Sequence, residues 1–211
     1  MTPKAVYWDM DGTLIDSEPL HEQAMASVLR SLGITPPADL HDRIIGISAM
    51  PIYEMLRDTL GLSLSFDDWI VRKYVYYMEH VGRLAPRAGA VEIFRELRAR
   101  GMKQAVVSNS DRLIVEANMR VIGIDRPGMK SVTRNDVRLG KPDAEPYLRA
   151  AWLTGIDPAD SFVIEDTVTG SLAGLAAGMR TLFWPQQPME PPAGAILIGS
   201  LEELKGHLGS D

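Results

Sequence analysis

The sequence predicts an α/β fold in which a doubly wound parallel sheet forms the core. Three short, continuous apolar runs, at residues 5–8, 105–107 and 162–164, have the composition of strands buried on both faces of a parallel sheet. Helical patterns that stop at glycines separate the later runs from one another. Strands that alternate with helices in this way are typical of parallel sheets covered by helices on both faces.

The remaining elements of the predicted sheet domain follow the same alternation. Helices are predicted over residues 91–98, 113–121, 147–153 and 172–177, each with a glycine within three residues of its end, and over residues 201–208. Weaker strand patterns lie at residues 131–133, 181–184 and 195–198. Together these runs make six candidate strands.

Residues 17–83 depart from this alternation because they contain no strand-like run. Amphipathic patterns over residues 18–32, 50–60 and 66–81 predict helices instead, with breaks at Pro36-Pro37 and Gly61. We therefore predict two units. Residues 1–16 and 84–211 form the sheet domain, and residues 17–83 form a small all-helical domain inserted after the first strand, with linkers near Asp16 and Leu84.

Composition excludes several classes of function. The chain has 211 residues and no apolar stretch of the roughly 18 residues that a membrane span needs, and its N-terminus enters a strand without a signal-peptide pattern. It has no cysteine, which is typical of a reducing compartment and excludes disulfides. A net charge of −6 argues against a nucleic-acid surface but not against a small anionic substrate. We expect a cytoplasmic protein that is a monomer or a weak homodimer.

Reactive side chains follow the predicted strands at the edge of the sheet where ligands bind in open α/β folds. The first run leads into residues 9–12 (DMDG), the run at 105–107 into residues 108–110 (SNS), and the run at 162–164 into Glu165 and Asp166. Lys141 follows the strand pattern at residues 131–133 after a loop. Because parallel strands end at one edge, these acids, hydroxyls and one cation are expected to converge.

Each of these features also has a simpler interpretation. Ser110 could cap the next helix, Lys141 could be a solvated loop residue, and the acids at 165–166 could complement a helix dipole. Two acids at a buried sheet edge are harder to explain, since unpaired buried carboxylates are costly. The simpler interpretations together need four coincidences at one edge of one sheet.

The motifs resemble those of the haloacid-dehalogenase-like hydrolase superfamily, in its phosphatase and phosphomutase branch with a helical cap. They occur in order as DMDGTLIDS at residues 9–17, VVSNS at 106–110, GKPDAEPYL at 140–148 and VIEDTVTG at 163–170. The resemblance implies a Rossmann-like core and identifies the helical insert as a cap that closes over the site.

The resemblance also implies roles for the residues at the strand ends. Asp9 would be the nucleophile that forms an aspartyl-phosphate, and Asp11 the general acid and base. The second role requires a pKa for Asp11 that is raised toward neutrality, at least transiently. Phosphoryl oxygens would be held by Ser108, Lys141, Asn109 and the backbone amides of Met10 and Gly12.

The oxygen ligands on offer suit Mg²⁺, which prefers carboxylates, carbonyls and water. The direct ligands implied are the carboxylates of Asp9 and Asp166 and the backbone carbonyl of Asp11, with Glu165 binding directly or through water. No His or Cys is placed to suggest zinc.

Substrate choice is expected to lie in the cap, where His21 and Arg43 are candidate substrate-binding residues. Sugar phosphomutases carry Lys and Arg where this chain has Ile45 and Ala49, which disfavours mutase activity. A lysine-based phosphonate hydrolase is disfavoured because the loop at residues 43–49 has no lysine and Lys73 lies well beyond it.

The leading hypothesis is therefore a Mg²⁺-dependent phosphatase acting on a small phosphorylated metabolite, a sugar phosphate or a phosphoglycolate-like acid. A β-phosphoglucomutase-like mutase is the first alternative. A phosphoaspartate signalling module is an alternative of another class, although it leaves the helical insert without a purpose. A dehalogenase is disfavoured because that branch lacks an acid at the position of Asp11.

Overall fold

The structure is a computed structural model that describes residues 3–44 and 47–209. The described residues form one six-stranded sheet, with strands β1 (Ala5–Trp8), β2 (Lys103–Val107), β3 (Lys130–Val132), β4 (Ser161–Glu165), β5 (Arg180–Phe183) and β6 (Ile196–Leu197). All neighbours pair in parallel, in the order β3-β2-β1-β4-β5-β6. Each predicted strand is present, so the predicted fold class is confirmed.

The helices are α1 (Glu18–Ser31), α2 (Leu40–Ile44), α3 (Ala49–Leu60), α4 (Phe66–His80), α5 (Ala90–Ala99), α6 (Arg112–Val121), α7 (Glu145–Thr154), α8 (Val168–Ala176) and α9 (Leu201–Leu208). Helix α2 was not predicted because five residues are too few to show a helical period. Helix α8 begins four residues before its predicted start, because Thr167 caps it by accepting a hydrogen bond from the Gly170 amide at 3.1 Å. Within the described part of the chain, no helix combines the length and apolar character that crossing a bilayer requires.

Both faces of the sheet are buried, as the continuous apolar runs predict. Side chains alternate along β1, so that Val6 and Trp8 contribute to one apolar core, which includes residues of α5, α6 and α9. Ala5 and Tyr7 contribute to the other core, which includes residues of α7 and α8. Strand β1 also lies between β2 and β4 in the middle of the sheet. The residues that follow it are therefore held by packing on both sides.

The helices α1 to α4 lie between β1 and α5 in sequence and have an apolar core of their own, which includes Met25, Leu56 and Trp69. We call residues 17–83 the helical segment. The two chain crossings at its ends lie side by side, since the Asp16 amide donates to the Ala85 carbonyl oxygen at 3.1 Å. Adjacent crossings are what an inserted domain requires. The division into a sheet domain (residues 1–16 and 84–211) and a helical domain (residues 17–83) stays a prediction.

Candidate active site

A cavity lies at the carboxyl edge of the sheet, between the strand ends and the helical segment. The sheet side contributes Asp9, Asp11, Ser108, Asn109 and Lys141, and the helical segment contributes Glu18, His21, Met25, Ile52 and Lys73, among others. The loops after β1, β2, β3 and β4 therefore converge as predicted from the parallel order of the strands.

Lys141 is buried at the centre of this edge. Its ammonium group donates hydrogen bonds to Asp9 Oδ1 at 2.5 Å, to the Val107 carbonyl oxygen at 2.8 Å, and to Glu165 Oε1. Burial alone would lower the pKa of Lys141, but the two carboxylates outweigh burial and raise that pKa above its ordinary value. Lys141 therefore stays charged and is not a solvated loop residue.

Three buried carboxylates cluster at this edge, and two of them contact the Lys141 ammonium. Asp9, Glu165 and Asp166 each offer one oxygen, and these oxygens lie within 4.8 Å of one another. Burial and repulsion from Glu165 raise the pKa of Asp9 well above its usual range and that of Asp166 to about 7. One lysine does not offset three carboxylates, and their hard oxygen atoms form the donor set that Mg²⁺ prefers. The residues therefore fit the predicted metal.

Gly12 makes the approach of Asp166 to the β1 loop possible. Its φ of +84° is readily adopted only by glycine, and a Cβ atom added there would lie 2.1 Å from Asp166 Oδ2. The backbone amide of Gly12 was predicted to bind a phosphoryl oxygen. In the structure it donates instead to the Ile15 carbonyl oxygen at 2.8 Å. The Met10 side chain is buried in the core, which leaves only its backbone for ligand binding.

Asp11 is held by five side chains. Its Oδ1 lies 2.6 Å from Ser17 Oγ, 3.1 Å from Asn118 Nδ2 and 3.4 Å from His21 Nε2. Its Oδ2 accepts from Ser110 Oγ at 2.8 Å and from Ser108 Oγ at 3.2 Å. Burial would raise the pKa of Asp11, but His21 and the serine hydroxyls outweigh burial and lower it below the ordinary value. Each of these partners can donate to the ionised form of Asp11 in the free protein, and the transient rise in this pKa that acid catalysis needs stays a prediction for the substrate complex.

The side chain of Asn109 has a structural role that was not predicted. Its Oδ1 accepts from the Lys141 amide at 2.8 Å, and its Nδ2 donates to the Lys141 carbonyl oxygen at 3.2 Å. The side chain is thus engaged with the backbone of the lysine loop, and phosphate binding by Asn109, which lines the cavity, stays a prediction. Gly140 permits this contact, since a Cβ atom there would lie 2.7 Å from Asn109 Oδ1.

The two candidates in the helical segment differ in position. His21 is buried on α1, with its ring 4.6 Å from the Tyr77 ring, and burial lowers its pKa below the ordinary value. Arg43 is exposed on α2 and pairs with Asp39 at 2.8 Å, one helical turn away. It is absent from the described lining of the cavity. The prediction that Arg43 binds substrate is therefore not supported, because its side chain extends into solvent.

The sequence interpretation missed Lys73 and Glu18, both of which line the cavity. Burial lowers the pKa of Lys73 to about 8, and burial with repulsion from Asp11 raises that of Glu18 to about 8. Lys73 is distant in sequence from the loop at residues 43–49, but it still reaches the cavity because α4 packs against α1. A signal did exist, since Trp69, Lys73 and Tyr77 recur at the spacing of one helix face.

Comparisons with known proteins agree with this arrangement. The profile of the family described as haloacid dehalogenase-like hydrolase matches residues 6–184, so the chain belongs to that family. It is 28% identical over 97% of its length to hexitol phosphatase A of Escherichia coli strain K12, of which it covers 94%.

A second relative is N-acetylmuramic acid 6-phosphate phosphatase of Pseudomonas aeruginosa, which is 30% identical over 86% of this chain and 81% of that protein. The crystal structure of CbbY from Rhodobacter sphaeroides in complex with phosphate superposes with a TM-score of 0.85. It covers 97% of this chain and all of that one, at 23% identity, and shows the similarity of fold.

Proposed function

We propose that this protein is a Mg²⁺-dependent phosphatase that hydrolyses a small phosphorylated metabolite through an aspartyl-phosphate intermediate. One observation carries the proposal: the Asp9 carboxylate is fixed by Lys141 inside a buried cluster of acids, at a cavity that also holds a second carboxylate, Asp11. Two of the relatives are named as phosphatases of a hexitol phosphate and a sugar-acid phosphate, which supports a substrate of that kind.

The first half of the proposed reaction transfers the phosphoryl group to Asp9. Lys141 donates to Oδ1 of Asp9, and we assign the attack on phosphorus to the other oxygen, Oδ2. The new O–P bond forms as the bond from phosphorus to the ester oxygen breaks, and the leaving oxygen takes a proton from Asp11. The negative charge of a bound phosphate would favour protonation of Asp11, opposing the donors that lower its pKa in the free protein.

In the second half, water attacks the phosphorus of the aspartyl-phosphate and the Asp9 carboxylate leaves. Asp11, which has given its proton to the leaving group and is therefore ionised, accepts the proton of the water. Asp9, Asp166 and Glu165 would hold Mg²⁺, which supplies positive charge that offsets the repulsion between the phosphate and these acids. Lys141 holds its charge beside Asp9 throughout the cycle.

The rest of the substrate would lie against the helical segment. The ion pairs of the described residues do not include Lys73, whose ammonium lies 5.7 Å from the centre of the Trp69 ring. That buried cation would suit a carboxylate or an array of hydroxyls on the substrate, and Glu18 would suit hydroxyls. Apolar side chains such as Met25 and Ile52 complete the wall. A phosphorylated sugar, polyol or sugar acid matches this lining.

The alternatives are less well supported. Ala49, one of the two positions that lack a mutase cation, lines the cavity at the start of α3, and Ile45 lies outside the described residues. A mutase would therefore lack one of its expected anchors for a second phosphate. A signalling module would not need the cover of helices that buries Asp9 and Lys141.

The proposal predicts catalytic turnover. Purified protein with Mg²⁺ should release many equivalents of phosphate from p-nitrophenyl phosphate and from a panel of sugar phosphates. EDTA should lower the rate at least about 100-fold, and excess Mg²⁺ should restore it. Three outcomes would contradict the proposal: an EDTA-resistant rate, a phosphoprotein that persists for minutes after one equivalent, or conversion of β-glucose 1-phosphate to the 6-phosphate faster than hydrolysis.

The substitution Lys73→Met tests the substrate assignment. We expect kcat/KM for the preferred sugar phosphate to fall about 10- to 100-fold, since a hydrogen bond to a charged group contributes about 1.5–3 kcal/mol. The fall should be at least about tenfold larger than for p-nitrophenyl phosphate, which has no hydroxyls. Lys103→Met, at an exposed lysine at the start of β2, is the matched control. Equal losses for both substrates would contradict the assignment.

Lys73 also requires a check for imine chemistry, because a buried lysine with a pKa of about 8 can attack an aldehyde. Treatment with borohydride in the presence of an aldehyde-bearing phosphonate should leave the mass of the protein unchanged. Covalent capture that is lost in Lys73→Met would replace the phosphatase proposal with carbon–phosphorus bond cleavage.

A further inference from the structure

Asn118 is a polar residue buried in the middle of α6, where the helical pattern alone predicts an apolar side chain. It is 0% exposed, and its neighbours Val115 and Met119 contribute to the core under the sheet. A buried amide costs free energy unless its donors and acceptor are satisfied, and asparagine is also a weak helix former. A residue that is unfavourable on both counts requires an explanation from its contacts.

The amide of Asn118 connects the candidate acid and base to the helical segment. Its Nδ2 donates to Asp11 Oδ1 at 3.1 Å, and its Oδ1 accepts from the Tyr77 hydroxyl at 2.8 Å. The orientation of the amide follows from chemistry, since an ionised carboxylate can only accept hydrogen bonds. Asn118 therefore spans from α6 to both Asp11 and α4.

Tyr77 and His21 complete a closed cycle of contacts that begins and ends at Asp11. The aromatic ring of Tyr77 packs 4.6 Å from the ring of His21, and His21 Nε2 lies 3.4 Å from the same Asp11 oxygen that Asn118 contacts. Tyr77 also shares a buried apolar cluster with Leu20 of α1 and Ile114 of α6. The packing of α4 on α6 and the orientation of Asp11 are thus joined through one amide group.

The contacts distinguish the two oxygens of Asp11. Oδ1 faces the Asn118 amide, a group that in this orientation can only donate. Oδ2 faces the hydroxyls of Ser108 and Ser110, which can donate or accept. Oδ1 is also approached by Ser17 Oγ and His21 Nε2, so three side chains engage it, and we assign the exchange of a proton at the cavity to Oδ2.

We propose that Asn118 is a positioning residue that fixes the Asp11 carboxylate for proton transfer to the leaving group, and that Tyr77 makes this orientation depend on the contact between α4 and α6. The inference rests on the proposed function, because it takes Asp11 as the general acid. Asn118 acts through the Asp11 side chain and makes no hydrogen bond to the three carboxylates assigned to the metal.

The test compares leaving groups. An alkyl phosphate needs a proton on its departing oxygen, whereas p-nitrophenolate departs without one. A variant whose acid is poorly positioned should therefore hydrolyse the alkyl ester more slowly and the p-nitrophenyl ester at nearly the same rate. The parameter kcat/KM is used because it covers the steps up to phosphorylation of Asp9. It is unaffected by a slow second half of the reaction that all substrates share.

In Asn118→Leu we expect kcat/KM for the alkyl phosphate to fall about 10- to 100-fold, part of the 10²- to 10⁴-fold that acid catalysis contributes. The value for p-nitrophenyl phosphate should fall less than about threefold. Tyr77→Phe, which keeps the ring against His21, should show a smaller change in the same direction. Met119→Leu, at the next position of α6, is the control for disturbance of the core.

Equal falls for the two esters, or no fall in a folded Asn118→Leu variant, would overturn the inference while leaving the phosphatase proposal intact. Wild-type protein that hydrolyses neither ester would overturn the proposed function itself. Should Asn118→Leu fail to fold, Tyr77→Phe carries the test alone, and an unchanged ratio of the two kcat/KM values would then reject the inference.

Discussion

Asp9→Asn is expected to lower kcat/KM at least about 10³-fold while the protein stays folded, because an amide cannot serve as the nucleophile. The substitution keeps the shape of the side chain and removes one of three buried, mutually repelling carboxylates. Lys141 keeps its contact with Glu165. The melting temperature in the absence of metal should therefore be unchanged or higher near pH 8, where the charge on Asp9 is most costly.

The measurements are phosphate release and a thermal melt on the same preparation. Asp125→Asn is a suitable control, since Asp125 is an exposed carboxylate that pairs with Arg120 at 3.2 Å, away from the cavity lining. Its activity should match the wild type. Residual activity of Asp9→Asn within tenfold of wild type, with an intact asparagine verified by mass spectrometry, would show that another group attacks phosphorus.

Lys141→Met is expected to cause the largest loss of stability, about 3–5 kcal/mol near pH 8 without metal, together with loss of activity. The variant leaves Asp9 and Glu165 buried without the cation that both contact, and breaking one side of a buried ion pair has a cost of this size. The methionine fills much the same volume, so little of the effect comes from a cavity.

The loss should depend on pH in a defined direction. The pKa of Asp9 is already raised in the folded protein, and removal of Lys141 raises it further. An acid whose folded pKa is raised contributes stability below its unfolded pKa that is lost as pH rises through the folded value. Asp166, with a folded pKa of about 7, behaves in the same way. The deficit of the variant should therefore be small at pH 5 and largest at pH 8.

Denaturant unfolding of wild type and variant at pH 5 and pH 8, each in EDTA, measures this difference. Lys130→Met, at an exposed lysine in β3, controls for the loss of a positive charge. Addition of Mg²⁺ at pH 8 should recover part of the stability, because a cation bound only by the folded state stabilises it. A deficit that is equal at the two pH values would contradict the assignment of Lys141 as the counter-charge of this cluster.

Much of the architecture could be predicted from local sequence. The strands β1, β2 and β4 each contain a continuous apolar run, and such runs are typical of strands buried on both faces of a parallel sheet. The acids, serines and lysine that follow the strands could be assigned to one edge, since parallel strands direct their carboxyl ends to the same side. Helix α2 was missed because its five residues carry no period.

Contacts between distant parts of the chain could not be predicted in this way. Lys73 and Arg43 are both cations on helices, and only the packing of α4 against α1 buries the first while α2 leaves the second in solvent. Asn118 lies 107 residues from Asp11, so no local pattern relates the two. The lowered pKa of Asp11 in the free protein depends on donors from distant parts of the chain, Ser17 and His21 at the start of the helical segment and Ser110 after β2.

By itself the sequence determined the fold class, the position of each strand and the identity of the acids, hydroxyls and lysine at the edge of the sheet. These follow from hydrophobic period and from chain direction, which are local properties. The tertiary structure alone decided the contacts of the site. It places Lys141 between Asp9 and Glu165, and Asn118 between Asp11 and Tyr77. It also places Lys73 in the wall of the cavity. Burial and electrostatics act through space, and only the packed chain sets those distances.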